Sequence, residues 1–99
     1  MVVALAVFTV RIPHAASLKD KRHVVRPLIE RLRREHAFAA SEVEFMDEHT
    51  RARIGLAGVG NDAQVLRGAV DKCFYALEED YPNTITDTDV EMMTFHGGE

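Results

Sequence analysis

The sequence predicts an α+β protein in which two helices cover one face of a four-stranded antiparallel sheet. Three observations lead to this fold class: four segments have strand-like apolar or alternating patterns, two have helical periodicity, and their order is β-α-β-β-α-β. The chain has 99 residues, of which 46% are hydrophobic and 28% charged, as in ordinary globular proteins. We therefore expect a single domain over residues 1–99.

The first strand and the first helix have clear signals at their ends. Residues 2–12 are rich in valine and end at Pro13, which indicates a strand. Ser17 offers an N-cap and Asp20 stands in the capping-box position, so a helix is expected to begin there and run to about residue 36. Its apolar stripe at helical spacing consists of Leu18, Val25, Leu28, Ile29 and Leu32.

The middle of the chain predicts two strands joined by a polar turn. Residues 40–46 alternate apolar Val43 with glutamates on either side, as in a strand with one buried face. Residues 51–59 form the next strand, in which Ile54 and Leu56 are two residues apart and should both face the core.

The last third predicts a second helix and a final strand. Asn61 and Gln64 have capping-box spacing, so the helix is expected to begin at Asn61 and end near residue 79, followed by a strand over residues 84–95. The complete order is the split βαβ arrangement of ferredoxin-like folds. We therefore predict a ferredoxin-like βαββαβ sandwich with sheet order 4-1-3-2 and both helices on one face.

The face of the sheet away from the helices is predicted to be apolar at its centre. Alternation along the strands places five apolar residues there: Val3, Leu5, Val7, Ala57 and Met93. An exposed apolar patch usually marks an interface, so we expect a homo-oligomer formed by face-to-face packing of these residues. The alternatives are a monomer with an apolar face, or a peptide or small-molecule site on the sheet.

Positive charge is concentrated on the first helix. Residues 17–36 hold seven of the twelve Lys and Arg residues and have a net charge of +4, although the whole chain is −4 and residues 61–99 are −7. On a helical wheel, four of these cations fall within about 60° of one another: Lys19, Arg22, Arg26 and Arg33. A basic stripe of this kind binds phosphate backbones without base-specific contacts.

The stripe has more than one interpretation. It could bind RNA, it could bind an acidic protein partner, or it could be a solvated surface with i,i+4 pairs such as Arg26–Glu30 and Glu30–Arg34. Base stacking on the open sheet face is disfavoured, because the third strand has no aromatic residue and Phe8 should face the core. The cations expected to contact phosphate are Lys19, Lys21, Arg22, Arg26 and Arg33, with Arg51 and Arg53 as auxiliaries.

Patterns of catalysis and metal binding are not found in the sequence. The five histidines form no i,i+4 pair and no Cys–His spacing suits zinc, so we expect no metal site, cofactor or catalytic residue. Cys73 lies on the apolar face of the second helix and should be a packed thiol. The protein is therefore expected not to be an enzyme; the alternative is an enzyme or small-ligand binder with a site between subunits.

The cellular location can also be predicted. The longest apolar run, residues 1–8, is much shorter than the roughly 20 residues of a membrane span, and no basic region precedes it as in a signal peptide. A single cysteine is compatible with a reducing compartment. We expect a cytoplasmic protein that does not bind membranes.

The segment RIPHAASLKDKRHVVRPLIERLR, residues 11–33, resembles the YlxP-like family of small bacterial proteins of unknown function. SEV at residues 41–43 and ND at residues 61–62 fall where that family has similar residues, whereas DEHTRA at residues 47–52 replaces its aromatic-containing D-x-W-Q. The resemblance implies a ferredoxin-like fold. It also implies an RNA- or ribosome-associated role, because genes of the family often lie near those for transcription, translation initiation and ribosome maturation; it implies no active site.

Overall fold

The computed structural model describes residues 1–98 and confirms the ferredoxin-like fold. The sheet is antiparallel with order β2-β3-β1-β4, which is the predicted order read from its other edge. Both helices pack on the same face of this sheet. The six elements are β1 (Val2–Arg11), α1 (Leu18–Glu35), β2 (Ala39–Glu44), β3 (Arg51–Gly60), α2 (Ala63–Asp80) and β4 (Ile85–Thr94).

The predicted cap of α1 is confirmed. Ser17 Oγ accepts a hydrogen bond from the backbone N–H of Asp20 at 3.1 Å, and Asp20 Oδ2 accepts one from the N–H of Ala16 at 2.9 Å. The N–H of Asp20, which has no partner within the helix, is satisfied in this way, and the bond to Ala16 ties the preceding chain to the first turn. The cap therefore fixes where the basic helix begins.

The predicted cap of α2 is wrong by one residue, since Asp62 rather than Asn61 occupies the N-cap. Asp62 Oδ1 accepts hydrogen bonds from the N–H groups of Gln64 at 2.9 Å and Val65 at 3.1 Å. A carboxylate interacts more favourably than an amide with the positive end of the helix dipole, which accounts for the choice.

The core lies between the helices and the sheet. Phe8 and Ile54 are fully buried from the sheet side, as predicted, and the ring of Phe8 meets Phe74 edge-on at a centroid distance of 5.5 Å. Each helix buries one face, but Leu18, placed in the apolar stripe by the sequence, is 37% exposed. The fully buried helix residues are Leu28, Leu32, Val70, Cys73 and Leu77.

Strand β2 differs from the simple alternation that its sequence predicts. Phe38, just before the strand, and Ala40 face the core. Val43 is 46% exposed and lies beside Gly55 on the open face. The pairing of β2 with β3 shifts at a bulge between Glu42 and Glu44. Glu42 precedes this bulge and lies on the same side of β2 as Ala40, so it faces the helix layer, where it pairs with the buried Lys21.

Among the described residues 1–98, no helix is long and apolar enough to cross a membrane.

Candidate binding surfaces

The first candidate surface is one flank of α1, defined by the exposed side chains of Lys19, Arg22 and Arg26. These positions are three and four residues apart, so they follow one another along one side of the helix. Within residues 1–98, none of the three forms an ion pair or a side-chain hydrogen bond. We call this set the basic flank.

Most other cations of the chain are already paired. Ion pairs join Arg11 to Asp87, Lys21 to Glu42, Arg31 to Glu35 and Asp80, Arg51 to Glu48, and Arg67 to Asp71. The i,i+4 pairs considered from the sequence, Arg26–Glu30 and Glu30–Arg34, are not among those found in residues 1–98. The basic flank therefore differs from the salt-bridged surface elsewhere on the molecule.

Lys21 is a correction to the predicted phosphate-binding set. Its side chain is buried, with a residue exposure of 3%, and Nζ donates to the carbonyls of Phe45 at 2.8 Å and Glu48 at 2.7 Å. Glu42 Oε2 lies 2.6 Å from the same ammonium. Lys21 holds the turn between β2 and β3 against α1 and is not accessible to a ligand.

The other three cations predicted to bind phosphate are engaged by the protein itself. Arg33 donates to the Ala40 carbonyl from Nε at 3.1 Å and Nη2 at 2.6 Å. Arg53 donates from Nη1 to Thr9 Oγ1 at 3.0 Å and to the Asp87 carbonyl at 2.7 Å. These bonds occupy guanidinium donors that a phosphate would otherwise use.

Arg51 is held by both an acid and a ring. It pairs with Glu48, and its guanidinium carbon lies 3.6 Å from the centroid of the Phe45 ring. Hydrogen bonding by Arg51 is the main cause that lowers the pKa of the Glu48 carboxyl below its ordinary value. Arg51 and Arg53 therefore do not belong to the basic flank. Their guanidinium groups make structural contacts within the protein.

A groove runs between the basic flank and the edge strand β2. It encloses about 230 Å³, and Arg22 and Arg26 stand on its rim. Met46, which was not singled out from the sequence, is 53% exposed in its wall. The apolar residues that line the groove are Leu18, Val25, Ile29 and Met46.

The second candidate surface is the open face of the sheet. The strand register places Leu5 opposite Ala57 and Glu91, and Val7 opposite Gly55 and Asp89, all on this face. They surround a shallow depression of about 500 Å³ whose floor extends onto β2 through Ala39 and Ser41. Val3 and Met93, also predicted for an oligomer interface, form the next opposite pair along the strands.

The single cysteine is buried among core residues of α2. Burial raises the pKa of the Cys73 thiol to about 11 from its ordinary 9.0, with a smaller opposing effect of Arg31. Among the described residues 1–98, no group of three or more His, Cys, Asp or Glu side chains could hold a metal ion.

We therefore expect Cys73 to resist a thiol reagent at pH 8 while the protein is folded, and to react at once after denaturation. Because its folded pKa is raised, its contribution to stability is complete below pH 9 and is lost as the pH rises towards about 11. Thiol titration with and without denaturant tests this expectation. Rapid labelling of the native protein would show that the thiol is accessible.

The fold and these surfaces define a small ferredoxin-like protein with two exposed surfaces, one basic and one apolar. The chain belongs to the DUF503 family of proteins of unknown function, whose sequence profile matches residues 3–90. The name YlxP-like stays an interpretation of the motif at residues 11–33. No curated protein matches the chain.

Three solved structures are similar in fold. The de novo designed protein Foldit4 has a TM-score of 0.54 at 12% identity, over 96% of this chain and 98% of that one. The de novo designed ferredoxin-fold protein LFR1 1 has a TM-score of 0.51 at 14% identity, over 100% and 90%. An antibiotic biosynthesis monooxygenase has a TM-score of 0.50 at 18% identity, over 96% and 98%. At such identities the likeness concerns the fold alone.

Proposed function

We propose that the protein is a non-enzymatic, cytoplasmic RNA- or ribosome-associated factor that docks on structured RNA through the basic flank of α1. The observation that carries this proposal is the exposure of Lys19, Arg22 and Arg26 on one side of one helix without any ion pair among residues 1–98. Unpaired cations on one surface bind phosphates by releasing counterions, whatever the base sequence.

The dimensions of the basic flank suit a nucleic acid strand. Lys19 and Arg26 are seven residues apart, which corresponds to about 10 Å along the helix axis. Three cations within this length can contact neighbouring phosphates of one strand. Binding of this kind positions the protein on RNA without reading its sequence.

The distribution of charge supports one orientation of docking. Residues 17–36 have a net charge of +4, whereas residues 61–99 have a net charge of −7. The acidic part would be repelled by a phosphate backbone while the basic flank is attracted to it. Such an asymmetric field steers association and is reduced by salt.

A gel-shift or co-sedimentation experiment with ribosomal RNA at low salt tests the proposal. Reversal of two flank charges, Arg22→Glu with Arg26→Glu, is expected to weaken binding at least tenfold, because two phosphate contacts become repulsive. The wild-type affinity is also expected to fall steeply as salt increases.

The matched control reverses two cations on the other helix, Arg67→Glu with Lys72→Glu. It changes the net charge by the same amount but leaves the basic flank intact, so it should retain much more affinity. Thermal melts of both variants exclude unfolding as the cause. Absence of binding at low salt, or equal losses in the two variants, would contradict the proposal.

A second candidate function is binding of an acidic protein partner, and the groove beside the basic flank favours it. Exposed Leu18 and Met46 offer apolar contacts next to Arg22 and Arg26, and an acidic segment with apolar side chains fits such a surface. Pull-down with and without nuclease separates the two functions. A defined partner that is retained after nuclease treatment and lost with Met46→Asp would favour the protein partner over RNA.

A further inference from the structure

The open face of the sheet is divided lengthwise into a ridge and a floor. The ridge follows β1 and β4, where Leu5 is 41% and Met93 is 44% exposed. The floor lies at the centre of β3 and β2, between the exposed side chains of Val43 and Val59. Small side chains there leave the depression of about 500 Å³: Ala39, Ser41, Gly55 and Ala57. A surface of this form is complementary to itself after rotation by 180°.

We propose that a second copy of this chain covers the open face, related by a two-fold axis that runs parallel to the strands between β1 and β3. This rotation places β1 of one copy over β3 of the other at the same level along the strands. Leu5 then lies over the partner's Ala57, and Val7 over the partner's Gly55, because these residues are opposite each other in the register of one sheet. The ridge of each copy fills the floor of the other.

The charges at the two edges of the sheet agree with the same arrangement. Glu91 lies on the edge strand β4 at the level of Leu5. At the other edge, Ala39 on β2 pairs with Ala57 on β3, at the same level of the sheet. The proposed rotation therefore places Glu91 of each copy over the uncharged Ala39 of the other.

A different axis direction would oppose like charges. If the two-fold axis crossed the strands at right angles at the level of Val7, β4 would lie over β4 and Asp89 would face its own copy. Like charges directly opposite each other are destabilising. The strand-parallel axis keeps the two acidic edges apart, on opposite sides of the interface.

The area of the open face is sufficient for a stable pair. Three strands of ten residues and one of six, about 4.8 Å apart at about 3.3 Å per residue, cover roughly 570 Å² on each copy. Two copies would bury about 1,100 Å², above the roughly 1,000 Å² that a specific interface should exceed, before the relief of the side chains is counted. The helices of both copies would remain on the outside. The dimer would therefore present two separate basic flanks, one on α1 of each copy.

Size-exclusion chromatography with light scattering tests the dimer. At about 50 µM the wild-type protein should have twice the 11.1 kDa mass of one chain, and Val7→Asp should have the mass of one chain. The control Val65→Asp changes a residue that is 70% exposed on α2 and should leave the mass unchanged. A monomeric wild-type protein would overturn the proposal, and so would a dimer that survives Val7→Asp with its fold intact.

A charge exchange tests the orientation of the two copies. Ala39→Glu should raise the dimer dissociation constant at least fivefold, because it places a second carboxylate opposite the partner's Glu91, and the double variant Ala39→Glu with Glu91→Arg should recover most of the wild-type affinity. Failure of the double variant to recover would overturn the strand-parallel axis. The open face could instead hold a small molecule, which native mass spectrometry would detect. A single chain that carries a bound small molecule would also overturn the proposal.

Discussion

Replacement of Lys21 by alanine is expected to lower the free energy of unfolding by about 3–5 kcal/mol, more than the loss of any other charged side chain on α1. The buried ammonium of Lys21 satisfies two backbone carbonyls and lies 2.6 Å from Glu42 Oε2. Alanine would leave these three acceptors without this donor, and one of them, Glu42 Oε2, is shielded from solvent. Unsatisfied buried polar groups cost about 1–3 kcal/mol each, and a buried carboxylate without its partner costs more.

Chemical denaturation of a small set of variants measures this effect. Lys19→Ala is the control, since Lys19 is exposed two residues earlier on the same helix and should change stability by no more than about 0.5 kcal/mol. The pair Lys21→Met with Glu42→Gln should be less destabilised than Lys21→Met alone, because the uncompensated carboxylate is removed. Equal effects of Lys21→Ala and Lys19→Ala would show that the Lys21 contacts do not stabilise the fold.

The second large effect is expected at Gly58, where alanine should destabilise the protein by about 1–3 kcal/mol. A Cβ atom at Gly58 would lie 2.7 Å from both Cδ1 and Cε1 of the Phe38 ring. Phe38 is buried, follows Ala37 at a φ of 57°, and its N–H donates to the Leu32 carbonyl at 3.2 Å. The ring therefore has little freedom to move aside.

The structure offers a matched glycine as a control. Gly68 lies within α2, and a Cβ atom there would meet nothing within 4 Å. Gly68→Ala should therefore stabilise the protein by about 0.5–1 kcal/mol, the usual gain in a helix. Phe38→Leu combined with Gly58→Ala should recover part of the loss. If Gly58→Ala also stabilised the protein in thermal and denaturant unfolding, the tight packing of Phe38 would be refuted.

The fold could be predicted from the sequence because each element carries its own local signal. Ser17 with Asp20 indicates where α1 begins, and the spacing of Ile54 and Leu56 indicates which side of β3 is buried. Such signals depend on near neighbours in the chain and therefore survive without knowledge of the packing. The N-cap of α2 was predicted at Asn61 and lies at Asp62. Local patterns do not resolve a difference of one residue.

The cations available to bind phosphate were predicted less well, because tertiary contacts decide which Lys and Arg side chains are already paired within the protein. Arg33 and Arg53 donate to groups that are 7 and 34–44 residues away, which no local pattern reveals. Lys21 could have been recognised, since a helical wheel places it at the centre of the buried stripe with Leu28 and Leu32. Its partly buried partner, Glu42, was not recognised because charged residues of β2 were expected to face solvent.

Mapping of RNA contacts by NMR tests the proposed function most directly. An isotope-labelled sample is titrated with a ribosomal RNA hairpin at low salt, and the amide shifts are followed residue by residue. Docking through the basic flank predicts that the largest shifts fall on residues 19–26 of α1, disappear on addition of salt, and are absent in the Arg22→Glu, Arg26→Glu variant. Shifts confined to the open face of β1 and β3, or no shifts at all, would contradict it.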